Sequence, residues 1–296
     1  MHNSDLFESL LDEIKASLTL PPDQPDETAE STLHALWHKA SGNPSSAKRA
    51  VSINLPELTE DQSSLLREFI LRRLSGSPLM QITGRANFMG LELEFAPEVF
   101  IVRPETELLG HSTVDLLSSI PNPVMIDVGC GSGNLTCGIA SSLPSLTVFA
   151  VDILKSCVDL TNQNVAKCNL SNRVTVMLGD LFGPLESLGL FNKIDAVVCN
   201  PPYIASGRLK GDRAYLVTHE PLEAFDGGPF GFRMHQRLIS ESLRFLKPGG
   251  SLLFEFGAGQ DKQILGLFNR AGGYGPIDFK VDKNGTARVV IAYKAA

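Results

Sequence analysis

Val124-Met-Ile-Asp127-Val-Gly129-Cys130-Gly131-Ser-Gly133 decides the fold. Four apolar residues around one acid predict a short buried strand, and three alternating glycines follow it directly. A glycine loop at a strand end lets the backbone approach a ligand closely, and the helix behind it offers free N–H groups. Gly129, Gly131 and Gly133 supply that loop, with Asp127 at its root and Cys130 packed beside it. On its own the pattern suits a dinucleotide as well as other nucleotide ligands.

Downstream, short apolar runs alternate with helical segments, the signature of a parallel sheet covered on both faces. Strands are predicted near 124–128, 147–151, 174–178, 194–199 and 251–256. Segments 277–281 and 288–292 flank Asp282-Lys-Asn284-Gly285, and Asn-Gly between two strands signals a hairpin. The expected fold is therefore α/β: a Rossmann-like, seven-stranded, mostly parallel sheet closed by an antiparallel hairpin. That is the arrangement of class I methyltransferases, whereas a nicotinamide-binding domain more often continues with parallel strands.

Three further features tilt the loop toward S-adenosylmethionine. Asp152 ends the strand Val148-Phe-Ala-Val-Asp152, where a carboxylate can accept both ribose hydroxyls, and Ile153 follows it. Gly179-Asp180-Leu181 follows the third strand; Asp180 suits the adenine amino group and Leu181 the ring face. Leu246-Lys-Pro-Gly-Gly250 opens the fifth strand.

The second chemical landmark is Asn200-Pro201-Pro202-Tyr203, placed after the apolar run Ile194–Cys199. An amide or aromatic amine nitrogen is a weak nucleophile because its lone pair is delocalised. It must be held in line with the methyl donor in a dry pocket. The Asn200 side-chain oxygen and the Pro201 carbonyl can each accept one N–H. Pro201 and Pro202 stiffen the corner, and Tyr203 can stack on the planar group. This chemistry requires no metal, general base or covalent intermediate. The plain alternative is a strand-to-loop turn, since Asn-Pro is ordinary turn chemistry.

The N-terminal part has a different pattern. Leu6, Phe7, Leu10, Leu11, Ile14 and Leu18 recur at helical spacing until Pro21-Pro22, and a second helix is predicted over 33–40. The polar stretch 41–50 is predicted as a loop, and Thr59-x-x-Gln62 opens a third helix. Residues 79–103 then alternate as a hairpin would, and Pro104 starts the next helix. These shifts divide the chain into a helical domain (1–78), a β-hairpin linker (79–103) and a catalytic domain (104–296).

A chain of 296 residues with 43% hydrophobic and 20% charged content is that of an ordinary globular protein. Its net charge of −7 opposes stable binding to a nucleic-acid backbone. The five cysteines show no zinc spacing and predict reduced thiols. No apolar run approaches the ~20 residues that span a bilayer. The first 31 residues carry eight acids against Lys15 alone, the reverse of a targeting peptide. A cytoplasmic protein without membrane contact is expected, and the sequence sets no oligomeric state.

Taken with Gly84-Arg-Ala-Asn-Phe88-Met-Gly90, Arg103-Pro-Glu-Thr-Glu107, Glu220-Pro221, Asp226-Gly-Gly228 and Phe254-Glu-Phe-Gly257-x-x-Gln260, these motifs resemble the HemK/PrmC family over nearly the whole chain. Members methylate N5 of glutamine in peptide-chain release factors. The resemblance implies that Asn200 and Pro201 hold the acceptor amide and that Tyr203 lines its slot. It also implies that Asp152 and Asp180 hold the cofactor, with Phe100 and Arg103 near the cofactor and the mouth of the site. The implied partner is the Gly-Gly-Gln loop of a release factor, docked with help from the N-terminal domain.

The sequence departs from the family after the tetrad. Pro229-Phe230-Gly231-Phe232 replaces a variable residue followed by Asp-Gly-Leu, His219 replaces a tyrosine, and Thr286-Ala287 stands where Arg-Asp is usual. Two acceptor classes therefore stay open: the release factor, or a small molecule or peptide. A nucleic-acid amino group ranks behind both.

Overall fold

The computed structural model describes residues 3–20 and 27–296, which form two compact units. The first comprises residues up to Pro97 together with Ile101–Pro104. The second comprises Glu98–Phe100 and Glu105–Ala296.

In the first unit, helices Asn3–Ser17, Ala29–Ala40 and Glu60–Leu74 bury Leu10, Ile14, Leu36, Trp37, Leu66 and Ile70 against one another. Burial of each such side chain contributes about 1.5–3 kcal/mol. The Trp37 indole N–H donates to the Pro56 carbonyl at 2.9 Å, so its one polar atom is satisfied. Thr59 and Gln62 form the expected capping box. The second helix begins at Ala29 and not near Leu33, because Thr28 and Ser31 cap each other reciprocally. The segment expected to be a loop over 41–50 contains a short helix, Ala47–Ala50. The expected helix stop at Pro21-Pro22 lies outside the described residues.

Strands β1 (Arg85–Phe88) and β2 (Leu91–Glu94) pair antiparallel and group with this unit. Met89 (φ 48°) and Gly90 (φ 79°) form a left-handed two-residue turn, the geometry that matches hairpin twist.

The second unit is built on a seven-stranded sheet. Its strands are β3 (Val124–Val128), β4 (Thr147–Asp152), β5 (Val174–Leu178), β6 (Ile194–Cys199), β7 (Leu246–Glu255), β8 (Tyr274–Val281) and β9 (Ala287–Lys294). The order is β5-β4-β3-β6-β7-β9-β8, with β3 to β7 parallel and β9 antiparallel to both neighbours. Every residue of β6 is buried, as a central parallel strand requires. Its one acid, Asp195, accepts from the Val124 N–H and from Lys247 Nζ.

β7 starts at Leu246 and not at 251. The Lys-Pro-Gly-Gly turn is absorbed into the strand, where pairing with β6 shifts register between Ile194 and Ala196. Pro104 opens a 3-10 turn, Pro104–Thr106, ahead of the helix Glu107–Leu117.

The topology positions the site. Sequence order along the sheet reverses on either side of β3, so a crevice opens at the carboxyl ends of β3 and β6. Val151, Val128, Cys199 and Phe254 lie in one row across β4, β3, β6 and β7. The next residues along those strands are Asp152, Gly129, Asn200 and Glu255. At about 4.8 Å per strand, these four positions span roughly 14 Å.

Candidate active site

The loop after β3 turns sharply through Gly129, Gly131 and Gly133, with φ of 70°, 57° and 76°. A side chain at Gly129 or Gly131 would meet nothing within 4 Å, so the surface there is open to a ligand. Gly133 is different: a Cβ would lie 2.9 Å from Thr161 Cγ2. Thr161 and Asn164, both buried on helix Lys155–Lys167, clamp the loop from behind. Thr161 Oγ1 donates to the Gly131 carbonyl at 3.0 Å and Asn164 Nδ2 to the Ser132 carbonyl at 2.8 Å. Cys130 is buried 3.4 Å from Thr161 Oγ1, and its thiol is pushed up by burial, as a packing residue's would be.

Asp152 caps the loop from β4. One oxygen accepts from the Gly131 N–H and the other from the Leu154 N–H, both at 2.9 Å. Burial raises its pKa, and these two bonds oppose the rise. Ile153, beside it, is 61% exposed and offers an apolar surface.

Asp127 is fully buried. Thr136 Oγ1 donates to Oδ2 at 2.5 Å, and Oδ1 has no partner among the described residues. Burial pushes its pKa up to about 6. An unpaired buried carboxylate oxygen at the root of an open glycine loop fits a cationic ligand.

Asp180 is exposed at the end of β5, and its carboxylate is held by Arg237 at 2.9–3.0 Å. Leu181, expected to pack on a ligand ring, is 5% exposed and belongs to the core beside Phe182. Its backbone takes a left-handed φ of 48°. Phe100 meets Phe225 edge-on, with ring centroids 5.4 Å apart. Arg103 belongs to the first unit, where it is buried and Nη1 donates to the Ile101 carbonyl at 2.7 Å.

At the end of β6, the tetrad is held by residues from distant parts of the chain. Asn200 Nδ2 donates to Thr106 Oγ1 at 3.0 Å, and Thr106 Oγ1 donates to Glu255 Oε2 at 2.8 Å. Tyr203 donates its hydroxyl to Glu255 Oε1 at 3.3 Å. Arg288 lies 3.6 Å from that same oxygen and 3.5 Å from the tyrosine hydroxyl. Burial and the neighbouring Glu255 charge raise the Tyr203 pKa, so the phenol stays protonated. Gln260 holds the corner from behind: its Nε2 donates to the Tyr203 carbonyl at 3.2 Å, and its Oε1 accepts from Gly257 N–H at 2.8 Å. Pro201 is buried and Pro202 half-buried.

Sequence reasoning assigned no role to Thr106, Glu255 or Arg288. Glu255 did leave a signal, as the one charge in Leu252-Leu-Phe-Glu-Phe256.

The divergent segment after the tetrad is pinned to it. Gly227 N–H donates to the Ile204 carbonyl and Ser206 N–H to the Gly228 carbonyl. Gly231 (φ 78°) passes so close to Tyr203 that a Cβ would sit 2.5 Å from its carbonyl oxygen. The residue just before it, Phe230, is 82% exposed.

This geometry has known counterparts. Residues 108–220 match the methyltransferase small domain model. A release factor glutamine methyltransferase from Gloeobacter violaceus is 34% identical over 244 residues, 82% of this chain and 84% of the relative. One from Moorella thermoacetica is 34% identical over 238 residues, 80% of this chain and 82% of the relative. This chain belongs to the HemK/PrmC family of methyltransferases.

The fold is shared more widely than the family. The hMettl16 catalytic domain, solved with an RNA hairpin, matches with a TM-score of 0.55 at 16% identity, over 76% of this chain and 81% of that one. That likeness is one of fold alone. HemK/PrmC enzymes use S-adenosylmethionine, and the open glycine loop with Asp127 and Asp152 suits it. No metal-binding cluster occurs among the described residues. None of their helices is long and apolar enough to cross a membrane.

Proposed function

We infer that this protein methylates the side-chain amide nitrogen of a glutamine in the Gly-Gly-Gln loop of a peptide chain release factor. The observation that carries this reading is Asn200, held at the end of β6 with its Nδ2 turned onto Thr106 and its oxygen left for an incoming N–H.

Gly129, Gly131, Asp152 and Asp180 are assigned to the cofactor, which supplies an electrophilic methyl group when bound. The chain itself positions the acceptor. Asn200 Oδ1 and the Pro201 carbonyl accept the two amide hydrogens. This orientation favours the positive charge that grows on nitrogen as the new bond forms. The rigid prolines remove two backbone donors that would compete for the same acceptors. The half-buried tyrosine helps to keep water from the slot. The helical segment 1–78 is assigned to docking the partner, and the cytoplasm is the location this reading entails.

A peptide or small amine-bearing acceptor is the second reading. It draws on Phe230, an exposed aromatic residue at the sequence position where the family carries an acid. Incubation with methyl-labelled S-adenosylmethionine separates the two. Purified release factors and a small-molecule extract from the source organism are offered separately, and the label is located by mass spectrometry. Label on the Gly-Gly-Gln glutamine is the expected result. Label confined to the extract overturns the substrate and leaves the chemistry standing.

A further inference from the structure

We propose that Glu255 and Thr106 act as positioning residues that set which end of the Asn200 amide faces the acceptor. The inference rests on the amide-methylating reading above and concerns how the tetrad is kept competent.

An asparagine amide is nearly symmetric in shape but not in hydrogen bonding: one end donates and the other accepts. Rotated by half a turn, Asn200 would meet an incoming NH2 group with its own NH2. The tetrad contains nothing that prevents this. Proline cannot donate, and Tyr203 directs its hydroxyl to Glu255.

The constraint comes from β7. Glu255 is 2% exposed and faces three groups: the Thr106 hydroxyl at 2.8 Å, the Tyr203 hydroxyl at 3.3 Å and the Arg288 guanidinium at 3.6 Å. Burial raises the Glu255 pKa, and the nearby Glu105 charge adds to the rise. The Thr106 hydroxyl, the Arg288 guanidinium and the Tyr203 hydroxyl oppose it and favour the ionised carboxylate, which can only accept. Thr106 has a single hydroxyl hydrogen and gives it to Glu255. Toward Asn200 it therefore has only lone pairs, and the amide end that meets it must be Nδ2. The Asn200 oxygen is turned toward the acceptor as a result. The same carboxylate draws the Tyr203 hydroxyl away from the slot.

Glu255→Gln keeps shape and volume but adds a donor. The Thr106 hydroxyl can then accept from residue 255 and donate to Asn200, which releases the amide to rotate. Thr106→Val removes the hydroxyl without changing volume, and Thr106→Ser restores it. The expected result is a drop in kcat of about 10- to 100-fold for Glu255→Gln and for Thr106→Val, the size of one mispaired buried hydrogen bond. Thr106→Ser is expected to recover most of the loss, and S-adenosylmethionine affinity should hold in all three. The double variant should be no worse than either single one, because both break a single relay.

An acceptor-independent measurement accompanies these. In isotope-labelled full-length protein, the Asn200 Nδ2 protons should show a nuclear Overhauser contact to Thr106. That contact should persist in Thr106→Ser and weaken in Glu255→Gln. Its absence in the wild type, or its persistence together with full turnover in Glu255→Gln, overturns the relay. If wild-type protein fails to label release factors, the substrate assignment falls while the contact still decides the relay.

Discussion

The loop after β3 and the corner after β6 lie side by side at the carboxyl ends of two central strands, yet they are made rigid in opposite ways. The first is shaped by backbone: glycines at positive φ, with Thr161 and Asn164 binding its carbonyls from a helix only one strand further along the chain. The second is shaped by side chains drawn from the whole catalytic unit, with Thr106 before the sheet begins and Arg288 on its last strand. Their buried acids differ in the same sense. Asp127 has one hydroxyl partner and an idle oxygen, whereas Glu255 has partners on both oxygens. A surface that must admit a charged cofactor leaves a carboxylate oxygen idle, while one that must orient an amide has both carboxylate oxygens engaged.

The largest test of this contrast is Asn200→Ala. Turnover should fall about 10²- to 10³-fold, the scale for losing one directed hydrogen-bonding group at a reacting atom. Calorimetry should find S-adenosylmethionine binding unchanged. Equal losses in both would mean that the two corners are not separable.

Next comes the idle carboxylate. The folded-state pKa of Asp127, about 6, lies above its ordinary 3.8. Its contribution to stability is therefore fully present below the ordinary value and is lost as pH rises through about 6. The loss is on the order of 3 kcal/mol. Asp127→Asn should thus gain stability on the wild type between pH 4 and pH 8 in urea unfolding without cofactor. A gap between the two proteins that is flat across this range would mean that Asp127 has found a partner.

Gly133→Ala sharpens the backbone half. A residue there must keep φ near 76° and press on Thr161, for a loss of about 2 kcal/mol. Gly249→Ala, at a φ of 77° with nothing within 4 Å, should lose about 1 kcal/mol. Thermal melts that rank the two equally would remove the role assigned to the Thr161 clamp.

The smallest effect is expected at Arg237→Ala. Its bridge to Asp180 is exposed and worth under about 1 kcal/mol. Freeing the carboxylate should tighten cofactor binding by a fewfold at most, and weaker binding would instead mark Arg237 as a cofactor contact.

The same contrast explains what could be read in the sequence. Strands β3, β5 and β6 fall where the apolar runs place them, and the hairpin turns at Asn284-Gly285, because those features are local. The glycine loop, Asp152 and the tetrad were legible for the same reason: each is a short motif at a strand end. Capping by Thr28 was missed because a serine, not an acid or amide, completes its box. The burial of Leu181 and its left-handed φ of 48° were not legible, because an apolar residue after a strand does not announce either. Thr106 and Arg288 could not be paired with Glu255 from spacing, since the contacts cross 149 residues in one case and arise only when β9 docks against β7.

That docking has a consequence for the order in which the protein becomes active. β9 sits between β7 and β8, so β8 leaves the ribosome before the strand that joins it to the sheet. Arg288 arrives with β9 and meets Glu255 only at that moment. Closure of the sheet and completion of the acceptor slot are one event. Until β9 slides home, a nascent chain can have folded its glycine loop and still hold Glu255 without its arginine partner.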